Sequence, residues 1–332
     1  MKALVYTGPE NLDYCDVPDP VATGGEHVVR VALVGICGSD MHAYLGHDSR
    51  RPAPLILGHE AAGVIEGGPR DGQRVTINPL VSCGTCSACR EGRDNLCPTR
   101  QIISMPPREG GFAEMVAMPE SNLIAVPDDV ALSKAALAEP IACGWHAVRL
   151  SLDALQGTRG KALVLGGGAI GLGAALSLKA QGVADVIIVE PNPTRRAHLI
   201  DHCGQNAVAE APEGILFDLV IDGVGYATTR ATASACARPG GVIGHIGLGE
   251  DTGGLDIRRM TLQEITFIGT YTYTAADFVQ TTQAIYDGRL GPLDWPETRS
   301  LAEGAKAFSD IRSGAVAAPK ILLRPETAPE RS

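Results

Sequence analysis

Cys83, Cys86, Cys89 and Cys97 fall within fifteen residues, spaced C-x2-C-x2-C-x7-C. The stretch between them holds Gly84, Gly92, charged residues and no apolar run, so it cannot pack a core of its own. Four thiolates at about 2.3 Å around a tetrahedral zinc ion would hold such a segment together. Disulfides and an iron–sulfur cluster are the competing readings. The total of nine cysteines is odd and nothing at the N-terminus suggests secretion, which argues against a disulfide framework. Cys97-Pro98 matches the ending of a ferredoxin run, but that run closes with a three-residue gap and here the gap is seven. Four thiolates close a zinc site, so this one is expected to be structural and the chemistry must come from elsewhere.

Gly166-Gly167-Gly168-Ala169-Ile170-Gly171 fits G-x-G-x-x-G, directly after an apolar strand and at the opening of a helix. Gly166 suits the tight turn, Gly168 a close approach of backbone to a pyrophosphate, and Gly171 close helix–strand packing. The helix N-terminus adds free N–H groups and positive dipole for the phosphates. Glu190 stands nineteen positions beyond Gly171, at the end of the next strand. Its carboxylate can accept from an adenosine ribose and would repel a 2′-phosphate, which favours NAD over NADP. Arg195 and Arg196 work against that preference, since either guanidinium can turn toward a phosphate.

Gly35-Ile36-Cys37-Gly38-Ser39-Asp40-Met41-His42 and Gly58-His59-Glu60 are unremarkable one at a time, and the 22 positions from Cys37 to His59 define no local geometry. Together with the four-cysteine lobe, Glu139-Pro140 and the glycine fingerprint, all in the same order, they resemble the zinc-containing medium-chain alcohol dehydrogenase family over essentially the full length. The resemblance implies a GroES-like first domain with Cys37 and His59 as catalytic zinc ligands. It makes Glu60 a ligand or an exchangeable neighbour of the metal, and Glu139 the glutamate that polyol dehydrogenases carry beside the zinc. Ser39 and His42 match the family's proton relay. Cys143 is out of register with the cysteine ligand of classical alcohol dehydrogenases and is assigned to the core. The pattern implies two zinc ions per chain, one catalytic and one structural, with NAD as hydride acceptor. Zinc as a Lewis acid lowers the pKa of a bound hydroxyl, and a near-neutral imidazole suits proton transfer to solvent.

The implied reaction is hydride transfer from a secondary alcohol or polyol to NAD, with sorbitol-, butanediol- and threonine-dehydrogenase-like members as the nearest patterns. Arg50 and Arg51 raise the idea of a phosphorylated sugar alcohol, because arginine forks suit phosphate; solvated loop arginines are the simpler reading. The rivals are a threonine-type amino-alcohol dehydrogenase, a zinc-free quinone or enone reductase on the same fold, and a non-catalytic nucleotide-binding protein. The last two would lack the Cys37/His59 pair or the relay residues.

Two kinds of domain must position these groups. Lys2–Tyr6, His27–Val34, Ala62–Glu66, Arg74–Ile77 and Phe112–Met118 read as strands between turn signals, a mainly β domain. Helical pattern follows from Ala135 to about Leu155, with Pro140 near a helix start. Beyond Gly157, strands alternate with helices: Lys161–Leu165, Ala169–Gln181, Asp185–Val189, Thr194–His202, Phe217–Asp222, Thr228–Ala237, Gly241–Ile246, then strand Glu264–Gly269 and helix Ala275–Asp287. Continuously apolar strands indicate a parallel sheet covered on both faces. A helix near Ala302–Ser313 and a strand at Lys320–Leu323 are too short to stand alone and are expected to return to the first domain. The fold class is α/β: a GroES-like catalytic domain, residues 1–150 and 288–332 with the zinc lobe at 83–97, and a Rossmann domain, residues 151–287. Residues 325–332 are expected to fray.

The net charge of −10, with no basic block, disfavours nucleic acid and anionic membrane as partners. Ala162–Leu178 is uncharged but shorter than the roughly 20 residues of a membrane span, and glycines interrupt it. Many cysteines without an export signal suggest a reducing cytoplasm. A homodimer or homotetramer is expected, with Glu264–Thr274 as the sheet border that a partner would cover.

Overall fold

Apolar strands of five or six residues, KALVL, DVIIV and FDLVID, form the middle of a parallel sheet because both of their faces are covered. They belong to a computed structural model that describes residues 1–157 and 159–328. Two compact units divide it. One comprises Met1–Glu139, Phe278–Asp287 and the described chain from Pro296; the other comprises Pro140–Asp277 and Gly288–Trp295. The boundary expected at 150/151 lies inside helix Ala138–Ala154.

In the first unit the main sheet runs in the order Leu123–Ala125, Arg74–Ile77, Glu60–Glu66, Glu26–Gly35, Ile321–Arg324, Glu297–Ser300, with Met115–Pro119 also paired to Glu26–Gly35. The C-terminal strand thus returns to the first unit as expected, with Leu322 opposite Gly35. A second sheet joins Asn11–Asp16, Lys2–Gly8 and Leu55–Ile56. Val29, Val31, Val34, Ile65, Ile77 and Phe112 are among its buried core, and Phe112 meets Phe308 edge-on at 5.9 Å between centroids.

Sequence periodicity missed several elements here. Strands Asn11–Asp16 and Glu297–Ser300 are polar border strands with few buried residues, so they lack an apolar signal. Helix Gly38–Tyr44 has seven residues and opens on glycine, too short for a helical period to show.

The second unit holds, among the described residues, a six-stranded parallel sheet ordered Ala207–Val208, Asp185–Val189, Lys161–Leu165, Phe217–Asp222, Ala237–His245, Thr266–Gly269. Strand order reverses on either side of Lys161–Leu165. In open α/β sheets, the switch point beyond the carboxyl ends of the strands is where nucleotides bind. The uncharged stretch from Ala162 resolves into this strand and helix Ala169–Ala180, and no described helix is long and apolar enough to cross a membrane. Residues 329–332 of the tail expected to fray lie outside the described residues.

Candidate functional site

Two groups of described side chains are close enough to hold a metal ion: Cys83, Cys86, Cys89 and Cys97, and Cys37, His59 and Glu60. In each, the ligand atoms lie within 4.8 Å of one another.

The four-cysteine lobe is a loop on which four sulfurs converge. Strands Leu80–Val81 and Gln101–Ile102 pair at its base, and helix Ser87–Arg90 lies between Cys86 and Cys97. The Cys86 and Cys89 sulfurs are 3.4 Å apart and those of Cys83 and Cys89 4.0 Å. Backbone N–H groups of Cys86 and Cys83 point at the sulfurs of Cys83 and Cys97. Backbone donors of Thr85 and Cys86 draw the Cys83 thiol down to about 5. Burial and the neighbouring sulfurs push Cys89 up to about 11. Sulfur crowding of this kind suits a bound dication, since zinc takes its cysteines as thiolates.

The second group is assembled from two separate segments. Cys37 precedes helix Gly38–Tyr44, and its N–H donates to Asp40 Oδ2 at 2.9 Å. His59 and Glu60 lie at the start of strand Glu60–Glu66, whose first residue pairs with Gly35. His59 Nδ1 lies 3.4 Å from Asp40 Oδ1 and 3.3 Å from Ser104 Oγ, leaving Nε2 as the ring nitrogen for a metal. A carboxylate behind a histidine ligand fixes its tautomer and raises its basicity. Burial disfavours a charge on His59, but Asp40 and Cys37 outweigh it and hold its pKa well above the ordinary value.

Glu60 is fully buried. Its Oε1 accepts from Lys320 Nζ at 2.6 Å, while Oε2 has no hydrogen-bond partner among the described residues. An unpartnered buried carboxylate oxygen is costly, and a cation beside Cys37 and His59 would satisfy it. On that observation the residues fit a zinc ion with one thiolate, one imidazole and one carboxylate, a set that leaves a position open.

Glu139 is buried in the first turn of helix Ala138–Ala154 and adds to the negative field at Lys320, but it is outside the group of three. Ser39 and His42 share helix Gly38–Tyr44; Ser39 is half-buried and His42 exposed. Cys143 is half-buried on the helix that carries Glu139. The Arg50 and Arg51 guanidiniums both pair with Asp48, Arg50 from an exposed position and Arg51 from a buried one. Asp48 accepts from Arg50 Nε at 2.8 Å and from Arg51 Nη1 at 2.7 Å, and buried Arg51 also donates to the Ser104 carbonyl. Hydrogen bonding from Arg50, against the opposing effect of partial burial, lowers Asp48 to about 2.

In the second unit, Gly166 turns with φ +95°, a conformation that favours glycine. A Cβ on Gly171 would overlap the Gly166 carbonyl, whereas one on Gly168 would meet nothing within 4 Å. That open face, at the start of helix Ala169–Ala180, is the room a pyrophosphate needs. Glu190 is buried: Oε2 accepts from Gly167 N at 3.0 Å and Arg195 Nη1 at 3.3 Å, and Oε1 from Asn192 N at 2.9 Å. Arg196 is spent on the carbonyls of Glu190 and Pro191.

Asp40, Ser104 and Lys320 had no assigned role in the sequence. Asp40 sits inside the quoted motif, and its place three residues after Cys37 is a legible capping signal. Ser104, in the turn after strand Gln101–Ile102, and Lys320, delivered by the pairing of strand Ile321–Arg324, carry no local signal.

Residues 23–128 match the alcohol dehydrogenase GroES-like domain and residues 169–286 the zinc-binding dehydrogenase domain. The chain is 31% identical to the probable diacetyl reductase 2, (R)-acetoin forming, of Saccharomyces cerevisiae, covering 95% of this chain and 86% of that protein. It belongs to the zinc-containing medium-chain alcohol dehydrogenase family. Sorbitol dehydrogenase of Bacillus subtilis is 32% identical over 82% of each chain. A solved structure of a short chain alcohol dehydrogenase from Escherichia coli CFT073, complexed with NADH, superposes with a TM-score of 0.87 at 28% identity, covering 98% of this chain and 99% of that one. This medium-chain dehydrogenase is therefore an oxidoreductase of a zinc-binding family, with two groups of side chains that could hold a metal ion.

Proposed function

We propose that the protein oxidises a secondary alcohol, by preference a polyol, to a ketone with NAD as hydride acceptor. The observation that carries this reading is the Cys37–His59–Glu60 group with its unpartnered Oε2. Cys37, His59 and Glu60 hold the catalytic zinc, and Asp40 and Ser104 orient His59. When bound, the zinc supplies Lewis acidity toward the substrate hydroxyl and the nicotinamide accepts the hydride. Ser39 takes the hydroxyl proton and exposed His42 passes it to solvent, so one hydride and one proton leave the alcohol. Buried Glu139 adds negative field beside the metal group. Gly166, Gly168 and Gly171 receive the pyrophosphate, and Glu190 accepts from the adenosine ribose while Arg195 braces it. Cys83, Cys86, Cys89 and Cys97 hold a second, structural zinc.

Several features support a homo-oligomeric protein of a reducing cytoplasm. None of the nine cysteines forms a disulfide among the described residues. Strand Thr266–Gly269 ends the order of its sheet, and Ile257 and Leu262 on the preceding helix are exposed. Light scattering of the purified protein tests the assembly, with a monomer as the contrary result.

A panel of secondary alcohols, polyols, polyol phosphates and threonine, each with NAD, tests the reaction when nicotinamide reduction and metal content are read on one sample. The expected result is turnover of a polyol by protein that carries metal at both groups. Full turnover of the best substrate by protein with metal in the lobe alone would overturn it.

A further inference from the structure

Lys320 is 4% exposed and immediately precedes strand Ile321–Arg324. That strand pairs with the end of Glu26–Gly35, and Ile36 N donates to the Ile321 carbonyl. The pairing delivers Lys320 to the metal group from 260 positions away in sequence. Its ammonium donates to Glu60 Oε1 at 2.6 Å and to the Ile36 carbonyl at 2.8 Å. Both acceptors flank Cys37 or belong to the group itself. Burying an ammonium is expensive, and a purely structural role would be served as well by an apolar side chain. Here the cation sits against the one carboxylate of the triad and occupies one of its two oxygens.

A carboxylate can meet a metal through one oxygen or both. With both oxygens engaged, Glu60 would fill coordination space that a substrate oxygen needs. With Oε1 held by Lys320, only Oε2 is available, and Oε2 is the atom left without a partner. The cation also opposes a dication by like-charge repulsion, which in a buried site is screened much less than at the surface.

We propose that Lys320 is a positioning residue that competes with the catalytic metal for Glu60, holding Oε1 so that the carboxylate offers the metal a single oxygen and an open coordination position persists. The inference rests on the proposed metal role of Cys37, His59 and Glu60. It assigns Lys320 no contact with substrate or cofactor.

The test uses full-length protein loaded with cobalt(II), with the spectrum of a Cys37→Ser variant, which retains the lobe, subtracted. In Lys320→Met the difference spectrum changes shape, and metal release to a chelator slows by about tenfold, the scale on which outer-shell groups act. Turnover falls. Lys320→Arg, which keeps a cation facing Glu60, brings the spectrum and release rate back toward wild type. Lys320→Gln serves if the methionine variant does not fold; its neutral donor should still slow release. Wild-type spectrum and release rate in the neutral variants, or faster release, overturn the proposal. A wild-type protein whose cobalt enters the lobe alone would instead remove the underlying site assignment.

Discussion

Gly35 and Glu60 face each other across paired strands, and a Cβ at position 35 would occupy the place of Glu60 Oε2. The absence of a side chain at Gly35 is thus what admits the unpartnered carboxylate oxygen. Its backbone is not in the left-handed region, so space alone is at issue. Gly35→Ala should displace the carboxylate, cost about 1–3 kcal/mol through overpacking, and empty the catalytic group of metal while sparing the lobe. Metal analysis beside a melting curve checks this; full occupancy of both groups would show that Glu60 relaxes without consequence.

Cys37→Ala and His59→Ala each remove one donor from the triad. Both variants should fold and bind NAD, as titration calorimetry would show, yet lose turnover of every alcohol. Substantial residual oxidation by either one contradicts the site.

The lobe has a different signature. Cys86→Ser removes one of four converging sulfurs from a loop without a core of its own. Because metal binding there is folding free energy, the variant should melt lower and lose its lobe metal. Its catalytic constants, measured well below the melting point, should stay near wild type. A wild-type melting temperature would argue against a structural metal.

Glu190→Gln keeps the shape of the side chain and removes its charge. Hydrogen bonds to charged groups contribute about 1.5–3 kcal/mol, so the ratio of kcat/KM for NAD over NADP should fall by roughly tenfold or more, helped by Arg195 now facing a neutral partner. An unchanged ratio places cofactor choice on other residues.

Asp277 offers a prediction about stability. It is 1% exposed and accepts from His146 Nδ1 at 2.7 Å and Arg149 Nε at 2.6 Å. Burial works to raise its pKa, but His146, Arg149 and Thr274 outweigh it and hold the carboxyl well below the usual range. A depressed folded pKa means stability that is present above the unfolded value, about 3.9, and is lost as pH falls through the folded one. Asp277→Asn should cost roughly 3 kcal/mol, the low end for a broken buried pair because Arg149 is partly exposed. It should also flatten the loss of stability in acid below about pH 4. Denaturant titrations across that range would expose an unaltered slope if the cluster contributes nothing.

Local chemistry and periodicity determined much of this protein in one dimension. The cysteine spacing announced that four sulfurs converge, since these donors lie within a few residues of one another. The strand–glycine–helix sequence from Lys161 to Ala180 declared a nucleotide turn, because apolar runs and glycine punctuation are local properties. Strands Arg74–Ile77, Lys161–Leu165, Asp185–Val189 and Phe217–Asp222 were read at their observed limits for the same reason. Border strands such as Glu297–Ser300 escaped notice because one covered face leaves little apolar pattern. The triad was visible only as two separate short motifs and a resemblance. Tertiary structure decided which oxygen of Glu60 is free, that Glu139 stands outside the group of three, and that Lys320 faces the metal group at all. Those contacts join segments up to 284 positions apart. They are made by strand pairing and burial, which no window of neighbouring residues encodes.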